Sequence, residues 1–318
     1  MKKLLSTLLL VPAVAFAWEP NKPVNAYVGF TAGSVQELSF RILEPVINKN
    51  TGANFVINLK PGAGSAINNE FVANGPSDGY TICLCSDPAV IATDRLIMPN
   101  KKHELNSFVT TIPYVTVPMS IVVAADDSIN SIQDLVAALK TEKITVGDPG
   151  AAARMVYELL VDHVKFAEDK DHVVRVEYKG PADTLAAVMG RHVRIGIMPL
   201  LVSGQSHLSK KVKIIALTSS TTMPELPGVK TMSSVYPDFV FNLNASIMLP
   251  KSTPKSIAEW YTRAVATALR SPEVKQKYSD NLIMIPTVDN AQEYQKSLAR
   301  SEKQFEPLVN KVIAQQTK

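Results

Sequence analysis

The stretch Asn58-Leu-Lys-Pro-Gly-Ala-Gly-Ser-Ala-Ile67 ends an apolar run, Asn54–Leu59, and leads into a helix-like segment. It has an echo upstream in Phe30-Thr-Ala-Gly-Ser-Val-Gln-Glu37, which follows the apolar run Val24–Phe30. A strand that turns through glycine into a helix aims unpaired backbone N–H groups and the positive end of the helix dipole at one point, and glycine lets an anion come close. Two such junctions suggest a double anion clamp. The plainer alternative is a pair of ordinary glycine turns in an α/β domain.

Working outward, strand-like runs alternate with amphipathic stretches along almost the whole chain of 318 residues, a length sufficient for two lobes. Strands are predicted at Val24–Phe30, Asn54–Leu59, Thr81–Cys85, Ser120–Ala124, Ile144–Gly147, Val173–Tyr178, Val193–Met198, Ile214–Ser219 and Asn244–Leu249. Helices are predicted at Val35–Asn48, Ser65–Ala73, Ile132–Lys140, Ala152–Val161, Ala182–Met189, Pro254–Leu269, Pro272–Ser279 and Asn290–Gln315. Ser131 with Asp134, Thr253-Pro254 and Ser271-Pro272 supply start signals, and Pro307 should bend the last helix. The alternation argues for α/β sheets with ligands at the carboxyl ends of the strands, where both Gly-Ser loops fall.

The chain opens Met1-Lys2-Lys3, runs apolar from Leu4 to Phe16 and offers Ala15-Phe16-Ala17 before polar sequence begins at Trp18. This pattern is a secretory signal peptide over residues 1–17. The apolar run is too short for a membrane anchor, which needs roughly 20 residues. No Cys stands after the cleavage site, so lipid attachment there is not indicated. Removing Lys2 and Lys3 lowers the formal charge of +4 by two, which gives no reason to invoke nucleic acid or an acidic membrane surface.

The two cysteines, Cys83 and Cys85, sit two apart in Tyr80-Thr-Ile-Cys-Leu-Cys-Ser86. On an extended strand their Cα atoms would be about 6.6 Å apart, at the upper edge of disulfide reach, so they read as two small buried strand residues. The five His show no metal-ligand spacing, and neither a metal nor another cofactor is expected.

Five segments then carry a family resemblance. Phe30-Thr-Ala-Gly-Ser-Val-Gln-Glu-Leu-Ser-Phe-Arg41 resembles Phe-x-x-Gly-Gly-x-x-Asp-x-x-x-Arg, and Lys60-Pro-Gly-Ala-Gly-Ser65 resembles Arg-Pro-Gly-Ala-Gly-Gly. Ser77-Asp-Gly-Tyr-Thr81, Val176-Glu-Tyr-Lys-Gly180 and Leu226-Pro-Gly-Val-Lys-Thr231 follow in the expected order. The pattern is that of the solute-binding component of tripartite tricarboxylate transporters, the Bug family of periplasmic binding proteins. The resemblance implies a two-lobe periplasmic-binding-protein-like fold of type II, each lobe a β-sheet flanked by helices, with two crossovers near Pro118 and Asn242. It implies a first lobe of residues 18–117 plus 242–318 and a second of 118–241. It also implies a monomer in the periplasm, with a small carboxylate and membrane permease subunits as partners.

On this reading the first-lobe contacts are Phe30, Thr31, Ala32, Gly33, Ser34 and Glu37 in one loop, Pro61, Gly62, Ala63, Gly64 and Ser65 in the other, and Ser86 at the next strand end. Ser34 and Ser65 replace the second glycine of each family loop, so each hydroxyl could donate to the ligand; Ser34 with Glu37 equally fits a capping box. The second-lobe loop Gly147-Asp-Pro-Gly-Ala-Ala-Ala-Arg154 replaces Ser/Gly-Gly-x-Gly-Ser-x-x-His, which makes Asp148, Gly150, Ala151 and Arg154 candidates, with Lys179 and Gly180 on the neighbouring loop. Arg154 either grips a distal carboxylate or pairs with an acid such as Asp148. Two other functions compete with transport: presentation of the ligand to a sensor, and a secreted hydrolase using Ser34 or Ser65. Neither loop has the Gly-x-Ser-x-Gly elbow, so no enzyme activity is expected.

Overall fold

A computed structural model describes residues 18–98, 100–166 and 172–316. The expected signal peptide lies outside the described residues. The first strands are β1 (Val24–Val28), β2 (Phe55–Leu59) and β3 (Thr81–Ser86), separated by α1 (Val35–Thr51) and α2 (Ala66–Ala73). β1 pairs in parallel with both β2 and β3, so the loops after β1 and β2 emerge side by side at the carboxyl edge. After β3, a π-helical turn (Ala89–Thr93) runs into α3 (Asp94–Ile97), and both were missed in the sequence.

β4 (Phe108–Ala124) is far longer than predicted. Pro113 and Pro118 disguise its first half, because proline removes a ladder donor and argues against a central strand. The fold accommodates them where the ladder is irregular: Pro113 stands opposite Ser246 between two register shifts, and Pro118 opposite Asn242 is the last residue of β4 to pair with β10 (Asn242–Pro250). From Met119 onward the same strand pairs with β7 (Ile195–Pro199), and from Ser120 also with β8 (Val212–Leu217). Partner exchange within one strand thus joins two halves of a sheet ordered β2-β1-β3-β10-β4-β7-β5-β6.

The second half holds α4 (Ile132–Thr141), β5 (Ile144–Asp148), α5 (Ala151–Val164), β6 (Val173–Glu177), α6 (Pro181–Met189) and α7 (Leu200–Leu208), with the short β9 (Lys230–Thr231) beside β8. β5 pairs in parallel with β6 and β7. The chain closes with α8 (Lys255–Arg270), α9 (Pro272–Asp280) and α10 (Ala291–Gln316), and α10 continues past Pro307. α1 packs against α8 and α9, while α10 covers the π-helical turn and α3. α5, from the second half, also rests on that turn and on α3. These apolar layers bury Phe40, Tyr114, Tyr157 and Tyr261.

Two start signals act as read. The Asp134 N–H donates to Ser131 Oγ at 3.1 Å, and the Val274 N–H to Ser271 Oγ at 3.1 Å. α8 instead has Pro254 at its N-cap, and Thr253 Oγ1 has no hydrogen-bond partner.

The reading of Cys83 and Cys85 as separate buried residues is corrected. They form a disulfide, with Cα atoms 5.1 Å apart. The strand is locally shortened relative to an extended one, which brings two side chains of one face within bonding range.

Candidate functional site

The second loop is built almost entirely in left-handed backbone. Gly62, Ala63, Gly64 and Ser65 have φ of 143°, 45°, 62° and 94°. Two of the four are not glycine, and each such residue stores of order 1–3 kcal/mol of strain that the surroundings must hold in place. The Ser65 N–H returns to the Gly62 carbonyl at 3.0 Å. Successive N–H groups in such a turn line a concave face suited to an anion. A Cβ on Gly64 would lie 2.3 Å from Ile97 Cδ1, and one on Gly62 would lie 2.7 Å from Ile67 Cδ1, so a larger residue at either position must push aside the flexible tip of an isoleucine.

What holds the strained turn is a buried polar cluster absent from the sequence reading. Ser65 Oγ accepts from Asn69 Nδ2 at 3.0 Å and donates to Asp94 Oδ1 at 3.4 Å. Asn69 Nδ2 also donates to Asp94 Oδ2 at 2.8 Å, and His103 Nε2 lies 2.7 Å from that oxygen. Burial pushes the Asp94 carboxyl above its ordinary range, opposed by the hydrogen bonds from His103 and Asn69. The expected donation from the Ser65 hydroxyl to a ligand is therefore corrected: that hydroxyl points inward and is 1% exposed as part of its residue. The hydrolase reading finds no support at Ser65, whose side chain is buried against Asp94 and Asn69, away from any substrate.

The first loop behaves differently. Phe30 is half-buried, and Thr31, Ala32 and Gly33 are exposed. Glu37 reaches back past Ser34 to accept the Gly33 N–H at 2.9 Å and is held by Arg41 at 2.9 Å. The capping box is thus displaced by one residue. Ser34 sits at the N-cap of α1 without a side-chain cap, and its Oγ is shielded from solvent with no hydrogen-bond partner. Ser34 Oγ thus makes no bond within the loop, while Glu37 shapes the turn. Gly29, which precedes the loop, packs on Ser65, so the two loops meet. Ser86 is buried at the end of β3.

In the second half, Asp148 is fully buried at the end of β5 and accepts the Gly150 N–H at 2.6 Å. Arg175 Nη1 donates to Asp148 Oδ2 at 3.0 Å and, with Nη2, to Glu177 at 3.3 Å. Burial raises the Asp148 carboxyl in spite of Arg175. Arg154 pairs with Glu158 one turn along α5 and lies over the Tyr157 ring at 5.5 Å. Pairing of Arg154 with Asp148 is therefore corrected: each has another partner. Sequence reading missed Arg175, for which the only signal was an acid, Asp148, entering a buried strand end. Gly150 has φ of 74° and is the N-cap of α5, ahead of Ala151. Lys179 is exposed, and Gly180 caps α6, so these two frame the neighbouring loop. The Tyr178 N–H to Asp148 carbonyl bond, 2.8 Å, ties that loop to the β5–α5 turn.

The residues from Ser39 to Ile313 match the model of the family described as the tripartite tricarboxylate transporter family receptor. The chain belongs to this family. A curated relative from Pseudomonas sp. (strain P51), the UPF0065 protein in the tcbD-tcbE intergenic region, is 26% identical over 89% of this chain and 84% of its own. The solved structure of the periplasmic binding protein BugD is 26% identical, with a TM-score of 0.79 over 92% of this chain and 98% of its own. R. palustris Rpa4515 with adipate has a TM-score of 0.81 at 22% identity, over 93% and 98%. The fold is accordingly that of a periplasmic binding protein, and family and fold are those of proteins that bind solutes. No helix among the described residues is long and apolar enough to cross a membrane.

Proposed function

We propose that the receptor is exported through a cleaved signal peptide, residues 1–17, and captures a small mono- or dicarboxylate between two lobes, 18–117 plus 242–318 and 118–241. The single observation that carries this reading is the left-handed run Gly62–Ser65 braced against Gly29, beside the first turn of α1. A left-handed run next to a helix start is the kind of backbone whose free N–H groups receive a carboxylate. Ser34 adds a hydroxyl without a partner. The adipate bound by the structural neighbour supports the ligand class.

Closure of the second lobe, with Gly150 and Gly180 at its loop tips, buries the anion in a drier cleft where its hydrogen bonds strengthen. The loaded monomer then delivers the ligand to a tripartite permease. A thermal-shift screen of organic acids tests the reading, because a ligand at 100 times its dissociation constant adds about 2.7 kcal/mol of stability. Stabilisation by no carboxylate, with the protein folded, overturns it.

A further inference from the structure

A cavity of about 240 Å³ lies where the chain crosses between the sheet halves, bounded by the turn after β3, the start of β10 and one face of α10. No residue of either glycine loop lines it. Its polar lining is Asp87, Asn242, Asn244, Ser301 and Gln304, with no Lys, Arg or His, and the remaining walls are apolar. Asp87 is 1% exposed. Its carboxylate accepts from Ser246 Oγ at 2.8 Å and from the Tyr294 hydroxyl, both neutral donors. Among the described residues no basic side chain pairs with it. Asn242 Oδ1, on the same lining, is shielded from solvent and has no hydrogen-bond partner.

A buried carboxylate without a counter-charge is unfavourable in its ionised form, and burial pushes Asp87 up to about 7 against the two hydrogen bonds that lower it. The cavity offers carbonyl, hydroxyl and carboxylate oxygens around that one negative charge. An anion would meet no basic group there. A divalent ion of the calcium type uses more carboxylates than the one present. We propose that this cavity binds a compact monovalent cation, an alkali-metal ion or a primary ammonium group, with Asp87 as its counter-charge and Asn242 Oδ1 as a neutral ligand. The site is separate from the anion clamp and lies beside the Asn242 and Pro118 pairing at which β4 changes partners.

The test uses the mature chain in choline chloride, whose cation is too bulky to be compact, titrated with potassium, sodium or methylammonium chloride at constant ionic strength. Melting temperature and calorimetry are read for the wild type, Asp87→Asn and Asn242→Ala. The expected result is saturable stabilisation of the wild type, weakened at least about ten-fold in either variant, the loss that accompanies one charge-assisted contact. The potassium, sodium and methylammonium arms distinguish a metal ion from an ammonium group. Affinity should rise with pH as the proton leaves Asp87; Tyr294 and Tyr114 are the titratable groups that feel its charge. Identical titrations in wild type and Asn242→Ala overturn the proposal even if Asp87→Asn fails to fold. A pH dependence equal in potassium and choline identifies a merely protonated Asp87 and also overturns it.

Discussion

Gly29 at the end of β1 lies against Ser65 at the entry to α2 so closely that a Cβ on Gly29 would sit 2.4 Å from the Ser65 Cβ and 2.8 Å from its Cα. The two glycine loops therefore form one structure, and the position of one sets the position of the other. Gly29→Ala should shift Ser65 and the strained turn with it. Overpacking of this kind lowers stability by about 1–3 kcal/mol. Urea unfolding should show that loss, and calorimetry a weaker carboxylate. An alanine variant with unchanged affinity would mean that the loops act independently.

Gly64→Asp tests the clamp by placing a side chain and a negative charge where the anion approaches. Asp tolerates left-handed backbone better than most residues, and Ile97, 46% exposed, can turn aside, so the fold should survive. Affinity for a carboxylate found in the screen should fall ten-fold or more, about 1.4 kcal/mol. Unchanged affinity would remove Gly64 from the site.

Arg154→Ala separates charge reading from support. Because Arg154 pairs with the buried Glu158, its loss should reduce stability by about 1–3 kcal/mol, between the value of an exposed and a buried pair. Mono- and dicarboxylates should be weakened equally. A selective loss for the dicarboxylate would show that Arg154 reads a distal charge after all.

Asp87 should leave a signature in the pH dependence of stability. A carboxyl raised from 3.8 to about 7 holds its proton more tightly in the folded chain than in the unfolded one. Its stabilising contribution is thus complete below pH 3.8 and is lost as pH rises through about 7. Asp94 and Asp148 are raised as well and act in the same sense. Asp87→Asn has no proton to lose, so its unfolding curve in choline chloride should be flatter across this window. Parallel curves for wild type and variant would show that Asp87 does not titrate there.

Export is tested by mass spectrometry, which should find Trp18 as the first residue of the secreted protein. Trp18 packs edge-on against Tyr80 and Trp260 at 5.6 and 5.4 Å, so processing at this point leaves the new terminus anchored. Recovery of the intact chain from the cytoplasm would contradict the reading. Trp18→Ala should lower stability by less than the roughly 3–5 kcal/mol of a fully buried Trp, because the indole is only partly buried.

The amino-acid sequence alone determined the α/β class, most of the strands and helices, the two glycine loops and the family. The class, elements and loops follow from local chemistry, namely apolar periodicity, capping residues, and glycines where the chain must turn left-handed; the family follows from the resemblance of five motifs in order. Even its errors were local. Pro113 and Pro118 hid half of β4 because what makes them tolerable, a bulge opposite Ser246 and an exchange of partner strands, belongs to neighbours distant in the chain. Only the tertiary structure decided which side chains pair. Ser65 turned inward to Asp94 and Asn69, Asp148 took Arg175, Arg154 took Glu158, and Cys83 joined Cys85. Burial drives most polar groups to find a partner, and the partner available depends on which strand ends and helix starts the sheet brings together. That geometry gives the Ser65 hydroxyl two partners and the Ser34 hydroxyl none, a distinction that two similar Gly-Ser motifs could not reveal.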